Sequence, residues 1–268
     1  MNTSSEFIDK MRNGKVCLGT NISFTDPTVT EALCDRVDFI WIDAEHNPFS
    51  LESIQGHIMA TKGTNTTPLV RVPWNDPVLI KPILDMGAAG VIVPMIRTVE
   101  EARLAISACK YPLEGVRGYG PRRPSHYGSI GGPKFCKEAN DSILTILQIE
   151  HIEAVRNIKE ILSVRGAKAI VLGLNDLAGS MGLIGEPRHP SVIEAADTVI
   201  NEARKAGVFA GVSIGDNVEQ LIEWADKGAQ WLSIGADYLL LIHGLEMVTN
   251  QIRKHLELKL KTELPSKA

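Results

Sequence analysis

The sequence predicts an α/β protein folded as a single (β/α)8 TIM barrel over residues 1–268. Three observations support this prediction. Short apolar runs alternate with helix-like segments eight times along the chain, as repeated strand–helix units require. Most runs are continuous rather than alternating, which is typical of parallel strands buried on both faces. The length of 268 residues also fits one barrel, which takes about 250 residues.

Five of the predicted strands are followed directly by a segment with helix-start signals. Asp26, Ser50, Asp76, Thr98 and Asn217 are placed to cap helices through their side-chain oxygens. A doubly wound open sheet is the competing fold, but no G-x-G-x-x-G turn follows the first strand. The predicted strands are Val16–Gly19, Phe39–Asp43, Pro68–Val72, Gly90–Pro94, Ile143–Ile149, Ala169–Gly173, Phe209–Val212 and Trp231–Gly235.

Composition excludes several classes of protein. The chain is 44% hydrophobic and 22% charged, with a formal net charge of -4, so it lacks the basic footprint of a nucleic-acid-binding protein. No apolar stretch is long enough to span a membrane, and the first ten residues lack the apolar core of a signal peptide. We therefore expect a cytoplasmic protein with no membrane partner. The four cysteines lack C-x-x-C spacing, which favours free thiols.

Polar side chains follow several of the predicted strands, at the point where each strand ends. In a barrel these positions converge on one mouth, where active sites are built. The residues concerned are Asp43, Glu45 and His46 after strand 2, Arg71 on strand 3, Gln148 and Glu150 at strand 5, and Asn175 and Asp176 after strand 6.

Glu150 and Asp176 belong to adjacent strands and predict a metal site. Two facing carboxylates repel each other unless one is protonated or a cation lies between them. An oxygen-rich site with few protein ligands suits Mg²⁺ or Mn²⁺. The alternative is a structural salt bridge from Arg71 to one of the two carboxylates.

His46 is the one histidine in this set, and its ordinary pKa suits a general base near neutral pH. Asp43 or Glu45 could orient it; the alternative is a turn histidine bonded to the backbone. Arg71 could stabilise a developing enolate oxygen by its charge, and a metal could act as Lewis acid. Together with these groups, His46 predicts enolisation of a small 2-oxo acid, with a carbon–carbon bond made or broken.

The chain also resembles the HpcH/HpaI aldolase family, the class II pyruvate aldolases. The similarity covers about residues 17–241, and the set of motifs in this order is specific although each motif alone is weak. The matching segments are IDAEHNP (42–48), VRVP (70–73), KPILDMGAAGVIVPMI (81–96), YPLEGVRGYG (111–120), LQIE (147–150) and LGLNDLAGSMG (172–182).

The resemblance implies roles for individual residues and a reaction between a 2-oxo acid and an aldehyde, acting on a 4-hydroxy-2-oxo acid in aromatic or sugar acid catabolism. It also implies a divalent cation, Mg²⁺, Mn²⁺ or Co²⁺. By this resemblance, His46 is a base that works through a water molecule, Asp85 is its acidic partner, and Arg71 stabilises the enolate. Glu150 and Asp176 are implied to be metal ligands. The residues implied to bind substrate are Gln148, Gly173, Leu174 and Asn175.

Some positions depart from the family pattern. Gly173 is followed by Leu174 where the family commonly has proline, no tryptophan lies near Cys17, and the loop at 118–128 reads GYGPRRPSHYG. The reaction class is therefore predicted more firmly than the aldehyde.

Two further segments carry predictions. Residues 111–140 show no periodicity and are predicted to be a long loop, in which Arg122 and Arg123 bind either an acidic group of the substrate or a neighbouring subunit. The segment 236–258 predicts a helix with one apolar face. It packs on its own barrel or, as the resemblance implies, is exchanged between subunits of a homohexamer built as a trimer of dimers.

Two other functions remain as alternatives. An acyl-CoA lyase of the citrate lyase β or malyl-CoA type belongs to the same superfamily, but such enzymes lack the Glu45–His46 pair after strand 2. A non-catalytic barrel that binds 2-oxo acids would be marked by loss of a catalytic residue, and the sequence shows no such loss.

Overall fold

The structure is a computed structural model that describes residues 4–263. Eight parallel strands form a closed barrel in which neighbours follow chain order and β8 pairs with β1. This confirms the predicted fold. The strands are β1 Cys17–Ile22, β2 Phe39–Asp43, β3 Thr67–Arg71, β4 Gly90–Val93, β5 Leu144–Ile149, β6 Ala169–Gly173, β7 Phe209–Ile214 and β8 Trp231–Ala236.

Helices surround the barrel, and most of them connect one strand to the next. Ser50, Asp76, Thr98 and Asn217 accept hydrogen bonds from backbone N–H groups in the first turns of their helices, as predicted. The helices are α1 Ser5–Arg12, α2 Thr28–Leu33, α3 Leu51–Ala60, α4 Pro77–Asp85, α5 Val99–Cys109, α6 Gly132–Ser142, α7 Ile152–Arg156, α8 Ile158–Leu162, α9 Leu174–Ser180, α10 Pro190–Ala206, α11 Val218–Asp226 and α12 Asp237–Glu263.

The first and seventh strands extend further toward the mouth than the sequence predicted. β1 continues to Ile22 and β7 to Ile214, and both remain paired with their neighbours there. The sequence analysis ended both strands too soon, because the additional residues include polar Thr20, Asn21 and Ser213, which interrupt the apolar runs. At the mouth of a barrel, polar side chains can face inward without being sealed from water.

The prediction of a loop over the whole of residues 111–140 is wrong for its last third. Residues from Gly132 onward form α6, whose Phe135, Ala139 and Asn140 are buried. Ala139 and Asn140 lie four and five residues after Phe135, so one face of a short helix packs against Tyr111 and Ile143. Glycine, lysine and asparagine around them hide this period in the sequence.

The amino-terminal end of the barrel is closed by aromatic side chains and by α1. Phe7 of α1 packs edge-on against Phe39 and Trp231, with ring centroids 5.4 and 5.9 Å away. Gly19 and Gly211 make room for these rings, because a Cβ at either position would lie within 2.6 Å of them. The barrel interior is therefore filled with side chains at this end and is a packed core, not a pore.

The last helix does not pack on its own barrel along most of its length. α12 has 27 residues, about 40 Å, and several apolar side chains along it are more than half exposed. Within the described residues, no helix is both long and apolar enough to cross a bilayer. The exposed residues, here called the α12 apolar face, are Leu241, Leu245, Val248, Ile252 and Leu256.

Candidate active site

A cavity of about 320 Å³ opens at the carboxyl ends of the strands and brings together most of the predicted site residues. A larger groove of about 650 Å³ lies beside it, between α10 and α11, but His46, Arg71 and Asp176 line only the smaller cavity. We therefore place the chemistry in the smaller one. The predicted residues that line it are His46, Arg71, Gln148, Gly173, Leu174, Asn175 and Asp176.

Arg71 is fixed in position by a carboxylate and an aromatic ring. Its Nε and Nη2 donate to the two oxygens of Asp43 at 2.8 and 2.7 Å, which is a bidentate pair. The guanidinium lies over the Trp41 ring, 5.1 Å from its centroid. The remaining nitrogen, Nη1, lies 3.1 Å from Glu45 Oε2. Arg71 thus presents a fixed positive charge at the floor of the cavity.

Asp43 does not orient the imidazole of His46, so that part of the prediction is corrected. Besides holding Arg71, its carboxylate accepts from the backbone N–H groups of Glu45 and His46 at 3.1 and 3.4 Å. Because a carboxylate at the strand end caps the turn after it, Asp43 sets the backbone geometry of the Glu45–His46 pair. It therefore acts on His46 through the turn.

His46 is exposed to the cavity mouth and has Glu45 as its acidic neighbour. The His46 Nε2 lies 3.7 Å from Glu45 Oε2, and the histidine side chain is 62% exposed. Burial raises the pKa of Glu45 to about 7, against the opposing effect of Arg71. The Glu45 carboxylate thus lies between the side chains of His46 and Arg71 at the cavity mouth.

Glu150 is buried beneath these side chains and is held by two donors. Its Oε1 accepts from the backbone N–H of Met95 at 2.8 Å, and its Oε2 accepts from the Gln148 amide. A Cβ on Gly173 would lie 2.5 Å from Oε2, so the neighbouring strand must have glycine at this position. The pKa of Glu150 is raised to about 7, mainly by burial and in smaller part by the negative charges of Asp176 and Glu45.

Met95 adopts a left-handed backbone conformation, with φ of 57°, two residues after the end of β4. This conformation is unfavourable for a residue other than glycine and is found where the surroundings enforce it. Here it turns the Met95 N–H toward Glu150. No pattern in the sequence predicted this contact.

The donor set around Glu150 and Asp176 fits a divalent cation with few protein ligands. Among the side chains that the structure describes, no group of three or more histidine, cysteine, aspartate or glutamate residues is arranged to hold a metal. The carboxylates that this site offers a cation are those of Glu150 and Asp176. Gln148 Oε1 is buried without a hydrogen-bond partner in the described part of the chain and can serve as a further oxygen ligand. Mg²⁺ and Mn²⁺ accept such sites because they retain water or substrate oxygens as ligands.

The alternative, a structural salt bridge from Arg71 to Glu150 or Asp176, is not formed in the described residues. The ion pairs of Arg71 are with Asp43 and Glu45. The negative charges of Glu150 and Asp176 are therefore left for another cation.

The chain turns sharply where β6 meets α9, and this turn lines the cavity. Gly173 ends the strand, while Leu174 and Asn175 are the first residues of α9. Backbone N–H groups in the first turn of a helix have no partner within the helix. This turn can therefore donate hydrogen bonds to a carboxylate in the cavity.

Asp85, Arg122 and Arg123 are not at this site within one chain. Asp85 is the last residue of α4, just before the amino end of β4, so it lies at the opposite end of the barrel, 2.6 Å from Arg117. The loop after α5 reaches the same end, where Arg123 donates to the Met86 carbonyl at 3.0 Å. Within a single chain, Arg122 and Arg123 therefore lie away from the cavity, because each helix returns the chain to the amino-terminal face. Their contact with substrate or with a neighbouring subunit stays a prediction.

Sequence reasoning missed several other residues that line the cavity. Asn21, Ser213 and Tyr238 face it from β1, β7 and the start of α12. Alternation along longer strands would have identified Asn21 and Ser213, since they lie two residues beyond inward-facing Gly19 and Gly211.

Comparison with known proteins agrees with this geometry. The family model described as HpcH/HpaI aldolase/citrate lyase matches residues 23–244. The chain is 35% identical to a 4-hydroxy-2-oxo-heptane-1,7-dioate aldolase of Klebsiella pneumoniae, covering 91% of this chain and 92% of the relative. It is 34% identical to a hydroxypyruvate/pyruvate aldolase of Roseovarius nubinhibens, with 89% and 93% covered.

A solved structure is also similar over nearly its whole length. An HpcH/HpaI aldolase/citrate lyase family protein from Burkholderia cenocepacia superposes with a TM-score of 0.87 at 26% identity, covering 92% of this chain and 98% of that chain. The sequence match, the barrel and the residues at its mouth lead to one assignment. The chain belongs to the HpcH/HpaI aldolase/citrate lyase family.

Proposed function

We propose that this protein is a divalent-metal-dependent aldolase that makes or breaks a carbon–carbon bond between the enolate of pyruvate and an aldehyde. The observation that carries the proposal is the grouping of His46, the fixed Arg71 and Asp176 in one cavity, with Glu150 beneath it. The relatives named as aldolases support the same reaction class.

Pyruvate, which is the donor acid of the reaction, fits the β3 to β6 side of the cavity. Its carboxylate would accept from the backbone N–H groups at Gly173, Leu174 and Asn175, and its carbonyl oxygen would face Arg71 and Gln148. A divalent cation held by Glu150 and Asp176 would supply Lewis-acid polarisation of that carbonyl. Because Arg71 is already oriented by Asp43, it stabilises the enolate oxygen without having to reorganise.

Cleavage then requires one proton to leave the 4-hydroxyl group of the substrate. His46 accepts this proton through a water molecule, the bond between C3 and C4 breaks, and its electron pair forms the enolate of pyruvate. The aldehyde leaves, and protonation at C3 gives pyruvate. Glu45, which is 3.7 Å from His46 Nε2, stabilises the protonated imidazole.

Assembly is a second part of the proposal. The α12 apolar face needs a covering surface, and a second copy of the chain provides one, consistent with the homohexamer that the resemblance implies. The implied role of Asp85 also requires a second copy, since Asp85 lies at the amino end of its own barrel. The same holds for any contact of Arg122 or Arg123 with substrate.

The acyl-CoA lyase alternative is weaker. The Glu45–His46 pair, which such lyases lack, lies at the cavity mouth with Glu45 joined to Arg71. Neither this pair nor any other feature of the mouth favours a coenzyme A thioester.

The test is a screen of 4-hydroxy-2-oxo acids for pyruvate release, with Mg²⁺, Mn²⁺ or Co²⁺ added to metal-stripped protein. We expect metal-dependent release from at least one substrate. Release from a malyl-CoA or citryl-CoA thioester, with none from any hydroxy-oxo acid, would support the alternative. A protein that binds pyruvate but catalyses neither reaction would be a non-catalytic barrel.

A further inference from the structure

One polar side chain in the cavity has no role in the mechanism described above. Asn21 follows Cys17 and Gly19 on the inward-facing positions of β1 and lines the cavity. Because the eight strands close in chain order, β1 lies across the barrel from β5, which carries Gln148. Asn21 therefore faces the cavity from the side opposite the proposed donor acid.

Ser233 determines which end of the Asn21 amide faces the cavity. Ser233 lies on β8 and is fully buried, and its hydroxyl donates to Asn21 Oδ1 at 2.5 Å. An asparagine side chain has one acceptor oxygen and two N–H donors on Nδ2. With the oxygen bound to Ser233, and no partner for Nδ2 among the described residues, the two donors are left for a ligand.

The reaction places the aldehyde on this side. Arg71, Gln148 and the turn at Gly173 occupy the β3 to β6 side, and His46 lies on the β2 side. An aldehyde that presents its carbonyl between the enolate and His46 must extend its remaining atoms toward β8 and β1. The Asn21 amide then meets the carbon next to the aldehyde group.

The charges in the cavity indicate what kind of oxygen Asn21 binds. Among the residues lining it, the cationic candidates are Arg71 and His46, and Arg71 is already paired with Asp43 and Glu45. A second carboxylate on the aldehyde would thus find no free arginine or lysine among the described residues that line the cavity. A neutral hydroxyl group can accept a hydrogen bond from the amide without a counter-charge.

We propose that Asn21, oriented by Ser233, is a specificity residue that binds the hydroxyl group of an α-hydroxyaldehyde. This rests on the proposed aldolase function and names the class of acceptor for the same site. The competing explanation is structural: the β1–β8 register shifts between Gly19 and Asn21, so the pair with Ser233 could serve only to close this seam.

The test compares two aldehydes of equal size, glycolaldehyde and propanal, as acceptors for pyruvate. In the wild type, kcat/KM should favour glycolaldehyde. Asn21→Ala should reduce this preference about tenfold, the scale of one lost hydrogen bond in a binding site, while kcat/KM for propanal changes less than about threefold. Ser233→Ala keeps the Asn21 amide but removes the hydrogen bond that orients it. A smaller loss of the preference for glycolaldehyde is therefore expected.

Thr20→Val is the matched control. Thr20 precedes Asn21, and its hydroxyl donates across the same seam to the Ile234 carbonyl at 2.9 Å, but it points away from the barrel interior. This variant should keep the wild-type preference for glycolaldehyde. An equal loss for both aldehydes in Asn21→Ala, or a wild type that favours propanal, would overturn the inference. If Asn21→Ala fails to fold, an unchanged preference in Ser233→Ala would overturn it instead.

Failure of the underlying function gives a different result. Exchange of the pyruvate methyl protons with deuterated solvent needs no aldehyde, so it tests enolisation alone. If exchange occurs but Asn21→Ala leaves the aldehyde preference unchanged, only the specificity role of Asn21 is rejected. No exchange in metal-loaded wild type would reject the aldolase function itself.

Discussion

The buried Glu150 carboxylate should make the stability of the metal-free protein depend on pH. Its pKa is about 7, whereas the model value for glutamate is 4.5, and burial is the main cause. Because the folded state binds this proton more tightly than the unfolded state, the free energy of unfolding falls as pH rises from about 4.5 to 7. At about 1.4 kcal/mol for each unit of pKa, the loss reaches at most about 3 kcal/mol.

Glu150→Gln isolates this effect, because a glutamine keeps the shape and remains neutral at every pH. Thermal unfolding in EDTA, at a fixed protein concentration, should show a midpoint that falls between pH 5 and pH 8 in the wild type and falls less in the variant. Mn²⁺ added at pH 8 should restore stability to the wild type and have little effect on Glu150→Gln. The burial argument fails if both proteins lose stability equally, and the metal argument fails if Mn²⁺ stabilises both equally.

Three further predictions concern the mechanism and the assembly. Arg71→Lys should slow aldol cleavage at least ~100-fold, because a lysine cannot replace the bidentate pair with Asp43, and steady-state kinetics would contradict this if the rate stayed near wild type. His46→Ala should slow cleavage ~10²- to 10⁴-fold while leaving Mn²⁺ affinity unchanged by calorimetry, since His46 is assigned to proton transfer; an unaltered rate would remove it from the mechanism. Truncation before Asp237 should yield aggregated or dissociated protein by light scattering, because it removes the α12 apolar face, and a soluble, active monomer would refute the proposed assembly.

The sequence predicted the barrel well because buried parallel strands leave a simple pattern. Phe39–Asp43 and Ala169–Gly173 match β2 and β6 residue for residue, since apolar runs and the polar residues after them define both strand ends. Asn21 and Ser213 were missed because a polar side chain inside a barrel mouth interrupts the apolar run that marks the strand. Helix α6 was missed because only one narrow face of it is buried.

The sequence predicted those site residues that lie at or just after the carboxyl ends of strands. His46, Arg71, Gln148 and Asp176 line the same cavity because the barrel brings all carboxyl ends together. The contact between Met95 and Glu150 depends on one left-handed backbone angle, which no sequence pattern indicated.

Asp85, Arg122 and Arg123 show a different limit of sequence analysis. Motif similarity assigns roles without saying from which copy of the chain a side chain comes. Helix direction in the structure places all three at the amino-terminal face, so only an assembly of chains could bring them to a substrate.

The most direct test of the central claim is exchange of the pyruvate methyl protons with deuterated solvent, followed by NMR without any aldehyde. Exchange should stop after exhaustive chelation and return with Mg²⁺, Mn²⁺ or Co²⁺, and Asp176→Asn should prevent its return. These results are predicted because, in the proposed mechanism, Glu150 and Asp176 would hold the cation that activates the oxo acid. Undiminished exchange in metal-free protein would contradict the account and would indicate chemistry through a lysine Schiff base.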